Sequence, residues 1–283
     1  MAYLLAIASA ALYGAADFLG GLASRRTSTI AVVVWSQAAG LVALLMVLPV
    51  LPDASPSQSD LFWGGAAGLA GSVGVGLLYR ALAIGRMAVV APTTAVCAVA
   101  IPVVAGLLAG ERLASLTMAG IALAIVAIVL VSRESADTPR RTRRMTLPPG
   151  IGIAFLSGVA IGFFFLALAR TSAAAGMWPL VVSRTIALVL FGSLTLVTAQ
   201  PMRMAPPVAR IAVGGGVVDM AANALYLAAT RYGALSVVVT LASLYPASTV
   251  LLARVILHER LNGWQVAGVV CALLAIILIV GFG

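Results

Sequence analysis

Long apolar runs separated by short polar stretches are the dominant pattern along this chain. Ten runs are close in length to a membrane-crossing helix, which needs roughly 20 apolar residues. They cover residues 2–22, 31–51, 61–79, 88–109, 115–132, 150–170, 177–198, 208–229, 236–257 and 263–282. The runs are apolar on all sides and do not alternate, so they predict helices and not barrel strands. The expected fold is an all-α integral membrane protein with ten transmembrane helices.

The overall composition agrees with this pattern. Of 283 residues, 63% are hydrophobic and only 9% are charged, whereas a soluble domain is about a quarter charged. This composition excludes a water-soluble globular protein and a disordered one. Cys97 and Cys271 both fall in apolar runs, so they are expected to be small buried residues and not a disulfide or a metal pair.

The basic residues are distributed unequally between the connections. All 17 are arginines. Thirteen fall in connections that the ten-helix count places on one side, at positions 25, 26, 80, 86, 133, 140, 141, 143, 144, 203, 210, 254 and 260. Only Arg112, Arg170 and Arg231 fall on the other side, and Arg184 lies inside a run. Because arginines collect in cytoplasmic loops, both termini are expected to be periplasmic in a multi-pass protein of a bacterial inner membrane.

The two halves of the chain resemble each other at an offset of 148 residues. The turn Glu111-Arg112-Leu113 then falls on Glu259-Arg260-Leu261, and Ser9 and Gly14 fall on Ser157 and Gly162. The expected organisation is one five-helix repeat over 1–132, a cytoplasmic linker over 133–149 and a second repeat over 150–283. Five is odd, so the second repeat is expected to be inverted in the membrane. Inverted repeats place a central site near the bilayer midplane and allow alternating access, which favours a carrier.

This combination resembles the drug/metabolite transporter superfamily. Ten predicted spans, two five-helix repeats and the Gly-Glu-Arg-Leu and His-Glu-Arg-Leu turns at 110–113 and 258–261 are similar to the EamA-type exporters, a branch that includes the YddG-like amino acid exporters. The sequence departs from strict repetition at His258, which stands where the first half has Gly110. The resemblance implies efflux of small metabolites or amino acids.

Polar residues inside the runs are the candidates for substrate contact. Ionisable groups in a membrane span are costly and face protein or water. Asp17 is one such group, and its repeat mate is Phe165, so the halves differ at this position. Asp219, Asn223 and Tyr226 share one face of the eighth predicted helix, where they either line a cavity or hold helices together.

Six further residues are also candidates for this site. They are Trp35, Tyr79, Trp178, Arg184, Ser243 and Tyr245. Arg184 is expected to bind a carboxylate, pair with Asp219 or extend to the membrane surface. Tyr79 and Tyr226 are repeat mates, expected either at opposite mouths of the cavity or as ordinary tyrosines of the membrane–water boundary. Tyr245 and Ser243 precede Pro246, which can kink a helix, whereas Trp35 and Trp178 can equally be interface anchors.

The function expected from these observations is secondary transport. No catalytic constellation, metal-ligand cluster or ATP-binding motif is present in the sequence, so no enzyme activity, cofactor or metal is expected. The expected partners are a small-molecule substrate and the lipid bilayer, with no nucleic acid and with the monomer as working oligomeric state. Amino acids are the leading substrates, and drugs or nucleotide sugars are the alternative. A lipid-directed membrane enzyme and a pore are more distant alternatives.

Overall fold

The computed structural model describes residues 1–85, 87–131, 150–199, 201–256 and 263–282. Within these ranges the chain forms eleven α-helices and two short 3-10 turns. The helices are Ala2–Ser24 (α1), Thr29–Val47 (α2), Gln58–Ile84 (α3), Met87–Leu108 (α4), Ser115–Val131 (α5), Ile151–Ala169 (α6), Trp178–Thr198 (α7), Pro206–Ala229 (α8), Leu235–Ala242 (α9), Tyr245–Ile256 (α10) and Gly263–Phe282 (α11). The protein is therefore all-helical over its described residues.

Helices occupy all ten segments that the sequence pattern predicts. Seven helical segments of the described chain are long and apolar enough to cross a membrane, and three further apolar helices are shorter. Large apolar side chains such as Leu4, Met46, Leu196 and Val197 point outward. An outer surface of this kind suits hydrocarbon and not water, so the chain is a multi-pass membrane protein.

The prediction of one continuous helix over 236–257 is wrong at one point, because the structure divides this segment into α9 and α10. The break lies at Ser243 and Leu244. Ser243 N–H still donates to the Val239 carbonyl, four residues earlier, as in an α-helix. Leu244 N–H instead donates to the Leu241 carbonyl, three residues earlier. Pro246 has no N–H with which to continue the helical ladder. A kink was expected here, and the proline instead accompanies a helix end.

The two halves of the chain pack mainly against each other. The helix α1 lies along α8, α3 lies along α6, and α5 lies along α11. Ser9 Oγ donates to the Ala222 carbonyl over 2.8 Å, and Ser157 Oγ donates to the Gly74 carbonyl over 2.8 Å. A shift of 148 residues relates Ser9 to Ser157 and Gly74 to Ala222. The second hydrogen bond is thus the first one with the two halves exchanged.

Glycine permits a close approach between α2 and α8. A Cβ atom on Gly216 would collide with the backbone of Ser36, and one on Gly40 would lie 2.9 Å from the Gly216 carbonyl oxygen. Small residues of this kind let membrane helices approach at backbone distance. The contact sets the position of α8, which carries three of the candidate site residues, Asp219, Asn223 and Tyr226.

The connections gather at opposite ends of the bundle. At one end, Asp60 in the first turn of α3 accepts hydrogen bonds from Ser57 and from Ser172 in the α6–α7 connection. Arg231, after α8, donates to the carbonyls of Ser172 and Gly176. At the other end, Arg25 donates to the carbonyls of Leu82 and Gly85, each over 3.3 Å. The linker 133–149 and the Glu259 turn lie outside the described residues.

Glu111 has a different role from the one its sequence position suggests. A carboxylate before α5 is expected to stabilise the start of that helix. In the structure, Glu111 accepts hydrogen bonds from the N–H groups of Leu235 over 2.7 Å and Ser236 over 3.1 Å. It therefore caps α9, a helix of the opposite half, and joins the two halves at one end of the bundle.

Replacing Glu111 with alanine should lower the free energy of unfolding by about 1–2 kcal/mol, because two N–H groups at the start of α9 lose a charged acceptor. Thermal and denaturant unfolding in detergent measure the effect. The neighbouring Arg112 is exposed, so Arg112→Ala is the matched control and should change stability by less than about 0.5 kcal/mol. Equal stability of the two variants would show that Glu111 is not the cap.

Candidate functional site

A central cavity lies where the two halves meet. Its volume is about 50 Å³, which is room for only a few water molecules. The walls come from α1, α2, α3, α6, α7, α8 and α10. Five predicted site residues line this cavity, namely Asp17, Arg184, Asp219, Asn223 and Tyr245. Four different helices bring these five residues together.

Arg184 and Asp219 form a buried ion pair across the cavity. The guanidinium Nη2 lies 2.5 Å from the Asp219 Oδ2, and Nη1 donates to the Gln37 side-chain oxygen. Both charged residues are less than 10% exposed. Arg184 was expected to bind a substrate carboxylate, pair with Asp219 or extend to the membrane surface, and the structure shows the pair with Asp219. A buried charge that lost its partner would be left with a large desolvation cost, so the two side chains depend on each other.

Asn223 extends the polar network along α8. Its Nδ2 donates to the Asp219 carbonyl over 2.7 Å, and its Oδ1 accepts from the Tyr13 hydroxyl over 3.0 Å. Tyr13 lies on α1 and stacks edge-on against Phe165 and Tyr245, with ring centroids 5.8 and 6.4 Å apart. Asn223 thus lines the cavity and also links α8 to α1. The two expected alternatives, a cavity wall and a contact that holds helices together, are both true of this residue.

Two polar groups in the cavity wall have no partner among the described residues. Asp17 is 8% exposed and makes no hydrogen bond or ion pair there. The Tyr245 hydroxyl is buried and also lacks a hydrogen-bond partner. Buried polar groups in native proteins are almost always satisfied. The Asp17 carboxylate and the Tyr245 hydroxyl are therefore available to a ligand or to water in this cavity.

The cavity wall is polar on one side and apolar on the other. Four pairs of lining residues are related by the offset of 148, and in each pair the two halves differ in polarity. The pairs are Tyr13 with Ile161, Asp17 with Phe165, Asp219 with Gly71, and Asn223 with Val75. The polar members all come from α1 and α8, and the apolar members all come from α3 and α6. The cavity therefore suits an amphipathic molecule.

The other five predicted site residues lie outside the cavity wall. Tyr79 and Tyr226 are 2% and 0% exposed, so the expectation that they stand at its mouths is wrong. Tyr79 packs against Gly20, and Tyr226 donates to the Phe165 carbonyl over 3.0 Å. Tyr79 fits into the interior because Gly20 leaves room for its ring, and Tyr226 fits because the Phe165 carbonyl accepts its hydroxyl.

Ser243 and the two tryptophans are also outside the cavity wall. Ser243 is fully buried at the break between α9 and α10, and its hydroxyl has no partner among the described residues. Trp35 is half-exposed and donates to the Met202 carbonyl over 3.1 Å. Trp178 lies at the end of the bundle opposite to the Trp35–Met202 contact. There it borders a separate surface depression with Asp53 and Tyr232. Neither indole contacts the central cavity.

Several lining residues were not among the predicted site residues. Tyr13, Gln37, Ser72, Phe164 and Phe165 all border the cavity. Phe165 could have been found as the repeat mate of Asp17, and Gln37 as an amide within an apolar run. Within the described residues, no cluster of three or more metal-type side chains occurs.

The unpaired Tyr245 hydroxyl gives a direct test of this geometry. Tyr245→Phe should leave the free energy of unfolding unchanged or slightly raised, since no hydrogen bond is lost. The matched control is Tyr226→Phe, which removes the bond to Phe165 and should cost about 1 kcal/mol. Thermal unfolding of both variants in the same detergent measures the difference. A larger loss for Tyr245→Phe than for Tyr226→Phe would contradict the structure at this position.

Comparisons with known proteins agree with the helical architecture. The profile of the EamA-like transporter family matches residues 1–133 and again 148–281. A solved structure, titled only as the crystal structure of a protein, superposes with a TM-score of 0.67 at 18% identity, and the match covers 99% of this chain and 98% of that one. This likeness concerns the fold alone. The comparison with curated proteins gives no match. The family profile spans nearly the whole chain, and the protein therefore belongs to the EamA-like transporter family, within the drug/metabolite transporter superfamily.

Proposed function

We propose that the protein is a secondary transporter that exports small amphipathic metabolites, with amino acids as the leading class, by alternating access. The observation that carries this proposal is the two-sided central cavity. Its mostly apolar wall on α3 and α6 can contact a hydrocarbon body, and its polar wall on α1 and α8 can contact a polar head group, once the helices separate to enlarge the cavity. Substrate sites in proteins are mostly apolar with a few placed polar groups.

The alternating-access part of the proposal rests on the internal repeat. The family profile matches the chain twice, at positions close to the predicted repeats 1–132 and 150–283. The exchanged hydrogen bonds of Ser9 and Ser157, and the cavity residues related by 148 positions, support ten spans in two inverted five-helix repeats. If the halves exchange conformations, the cavity opens to one side and then to the other.

Nucleotide sugars are the weaker alternative. Among the described residues of the cavity wall, only Asp17, Arg184 and Asp219 are formally charged, which gives this part of the wall a negative formal charge. Arg184 is already engaged by Asp219 and Gln37. A diphosphate would bring two or more negative charges to an unpaired carboxylate, whereas an amino acid brings an ammonium group that can pair with that carboxylate.

Counterflow in proteoliposomes tests the proposed transport. Vesicles preloaded with each of the twenty amino acids should accumulate the labelled form of any substrate without an ion gradient. Arg184→Met provides the inactive control, and empty liposomes give the leak. Folded protein that exchanges none of the twenty would contradict the amino acid assignment. Exchange of nucleotide sugars under the same conditions would favour the alternative.

The orientation is a separate proposal. The thirteen arginines that the ten-helix count puts on one side support a cytoplasmic linker 133–149 and periplasmic termini in a bacterial inner membrane. Alkaline phosphatase fused after Gly283 should therefore be active, and green fluorescent protein fused at the same point should be dark. The opposite pair of results would reverse the orientation without altering the fold.

A further inference from the structure

A further cavity, larger than the central one, opens at one end of the bundle. It is the surface depression that Trp178 borders, and its volume is about 600 Å³. Its walls come from the segment 48–54 after α2, from the α6–α7 connection with the first residue of α7, and from the segment 227–232 at the end of α8. A hydrogen bond of 2.9 Å from Ser55 N–H to the Ala174 carbonyl joins the first two of these segments. The volume falls in the range of ligand pockets.

The surface depression carries one carboxylate and one guanidinium group. Asp53 is exposed and makes no hydrogen bond or ion pair with a described residue. The Arg231 guanidinium donates to two backbone carbonyls of the α6–α7 connection, which are neutral acceptors. The carboxylate of Asp60 acts on Arg231 electrostatically but is not within ion-pair distance of it. Each of the two charges is therefore available to a ligand group of opposite sign.

Aromatic and apolar side chains form much of the remaining wall. Trp178 and Tyr232 are 37% and 67% exposed, and Leu48, Leu51 and Met177 border the same depression. An exposed aromatic side chain at the end of a membrane span is ordinary. Here two of them border the same space as two charges of opposite sign. This combination can contact an apolar body, an ammonium group and a carboxylate of one molecule.

The surface depression continues the line of the central cavity along two helices. On α8, Leu227 in the depression lies one turn beyond Asn223 in the central cavity, on the same helical face. At the start of α7, Met177 in the depression lies two turns before Arg184 in the central cavity, again on the same face. The two spaces are about 6–10 Å apart along these helices. A molecule that leaves the central cavity along α7 and α8 toward this end therefore enters the depression.

We propose that the surface depression is a second binding site for the transported substrate, and that its ligands are zwitterions with an ammonium group, a carboxylate and an apolar body. The ammonium group pairs with Asp53 and the carboxylate with Arg231, while the apolar body contacts Trp178 and Tyr232. This inference rests on the proposed transport function and adds a site outside the central cavity. In the proposed orientation the depression lies on the periplasmic side, where an exported molecule is released.

The test follows the tryptophan emission of the full-length protein in detergent while L-leucine is added. Leucine is not fluorescent, so the change comes from the protein. The change should saturate with leucine and should disappear in Trp178→Phe. The matched control is Trp63→Phe, which should keep the response, because Trp63 lies at the same end of the bundle, against Arg170, but outside the depression. Isocaproate and isoamylamine, which are leucine without its ammonium group and without its carboxylate, should each need concentrations at least about tenfold higher.

Two variants test the assigned contacts. Asp53→Asn should raise the half-saturating leucine concentration roughly fivefold, because the ammonium group loses its counter-charge. Tyr232→Ser should raise it by a similar factor, because the apolar body loses a contact. Both side chains are exposed and make no hydrogen bond with a described residue, so neither variant should unfold at a lower temperature. The matched control is Arg112→Gln, which removes an exposed charge outside the depression and should bind leucine as the wild type does.

A lipid headgroup is the other source of this ligand chemistry, since phosphatidylethanolamine carries an ammonium group and an acidic group on an apolar body. Liposomes of phosphatidylcholine and of phosphatidylethanolamine distinguish the two sources. The leucine response of Trp178 should be equal in both. A response that phosphatidylethanolamine abolishes would assign the depression to a lipid and overturn the substrate class.

The outcomes separate this inference from the proposed transport. A leucine response that Asp53→Asn leaves unchanged would overturn the assigned site. Amino acid counterflow by the wild type, with no response at Trp178, would overturn the second site and leave the transport proposal standing. A response at Trp178 without counterflow, from protein shown to be folded, would contradict the transport proposal and leave a zwitterion site with another role. The absence of both would overturn both.

Discussion

Replacement of Arg184 with methionine should lower the free energy of unfolding by about 3–5 kcal/mol, the loss typical of a buried ion pair that is broken from one side. The cause is Asp219, which is left with a buried charge and only its neighbours' dipoles to stabilise it. Transport should fall to the level of empty liposomes. Unfolding in detergent and counterflow, measured on one preparation, provide the two readouts.

The double variant Arg184→Met with Asp219→Leu separates stability from function. A hydrophobic pair of similar volume often replaces a buried ion pair at no cost, so most of the lost stability should return. Transport should not return, because the polar wall of the cavity is gone. A single variant that loses less than about 1 kcal/mol would mean that the two side chains do not depend on each other.

Replacement of Gly216 with alanine should have the second largest effect. Its Cβ would overlap the Ser36 backbone, and backbone cannot move aside as a flexible side chain can. Forcing α2 and α8 apart should cost about 1–3 kcal/mol and should also misplace Asp219, which lies three residues further along the same helix.

Gly214 on the same helix is the matched control. A Cβ at Gly214 has no neighbour within 4 Å, so Gly214→Ala should be neutral or should stabilise the helix by up to about 1 kcal/mol. Thermal unfolding of both variants measures the difference. Equal effects at the two positions would show that the approach of α2 to α8 is not as close as the structure has it.

Sequence reasoning was most successful where charges are scarce. An apolar run tolerates an ionised side chain only if a partner or water is near. Asp17, Arg184 and Asp219 were therefore recognisable as interior groups, and the pairing of Arg184 with Asp219 was one of the expected alternatives. All three lie on the same cavity.

The positions that sequence reasoning missed depend on how each helix is rotated about its own axis and on how far along the helix the residue lies. A helix that is apolar on all sides does not show which face turns inward, so nothing indicated that Phe164 borders the cavity. Tyr226 does share a helical face with Asp219 and Asn223, but it lies nearly two turns beyond Asp219 along α8. There its hydroxyl donates to the Phe165 carbonyl of α6, and its side chain does not border the cavity.

The mutual packing of the two halves has a consequence for biosynthesis. While only the first half has left the ribosome, α1 lacks α8, α3 lacks α6 and α5 lacks α11. The helix α3 also lacks α7 at this stage. In the complete protein, Gly64 and Gly68 of α3 contact Pro179 and Ser183 of α7. Asp17 has no cavity to face, and lipid is the poorest neighbour for it. Synthesis must therefore reach α8 before the first helix acquires its principal partner.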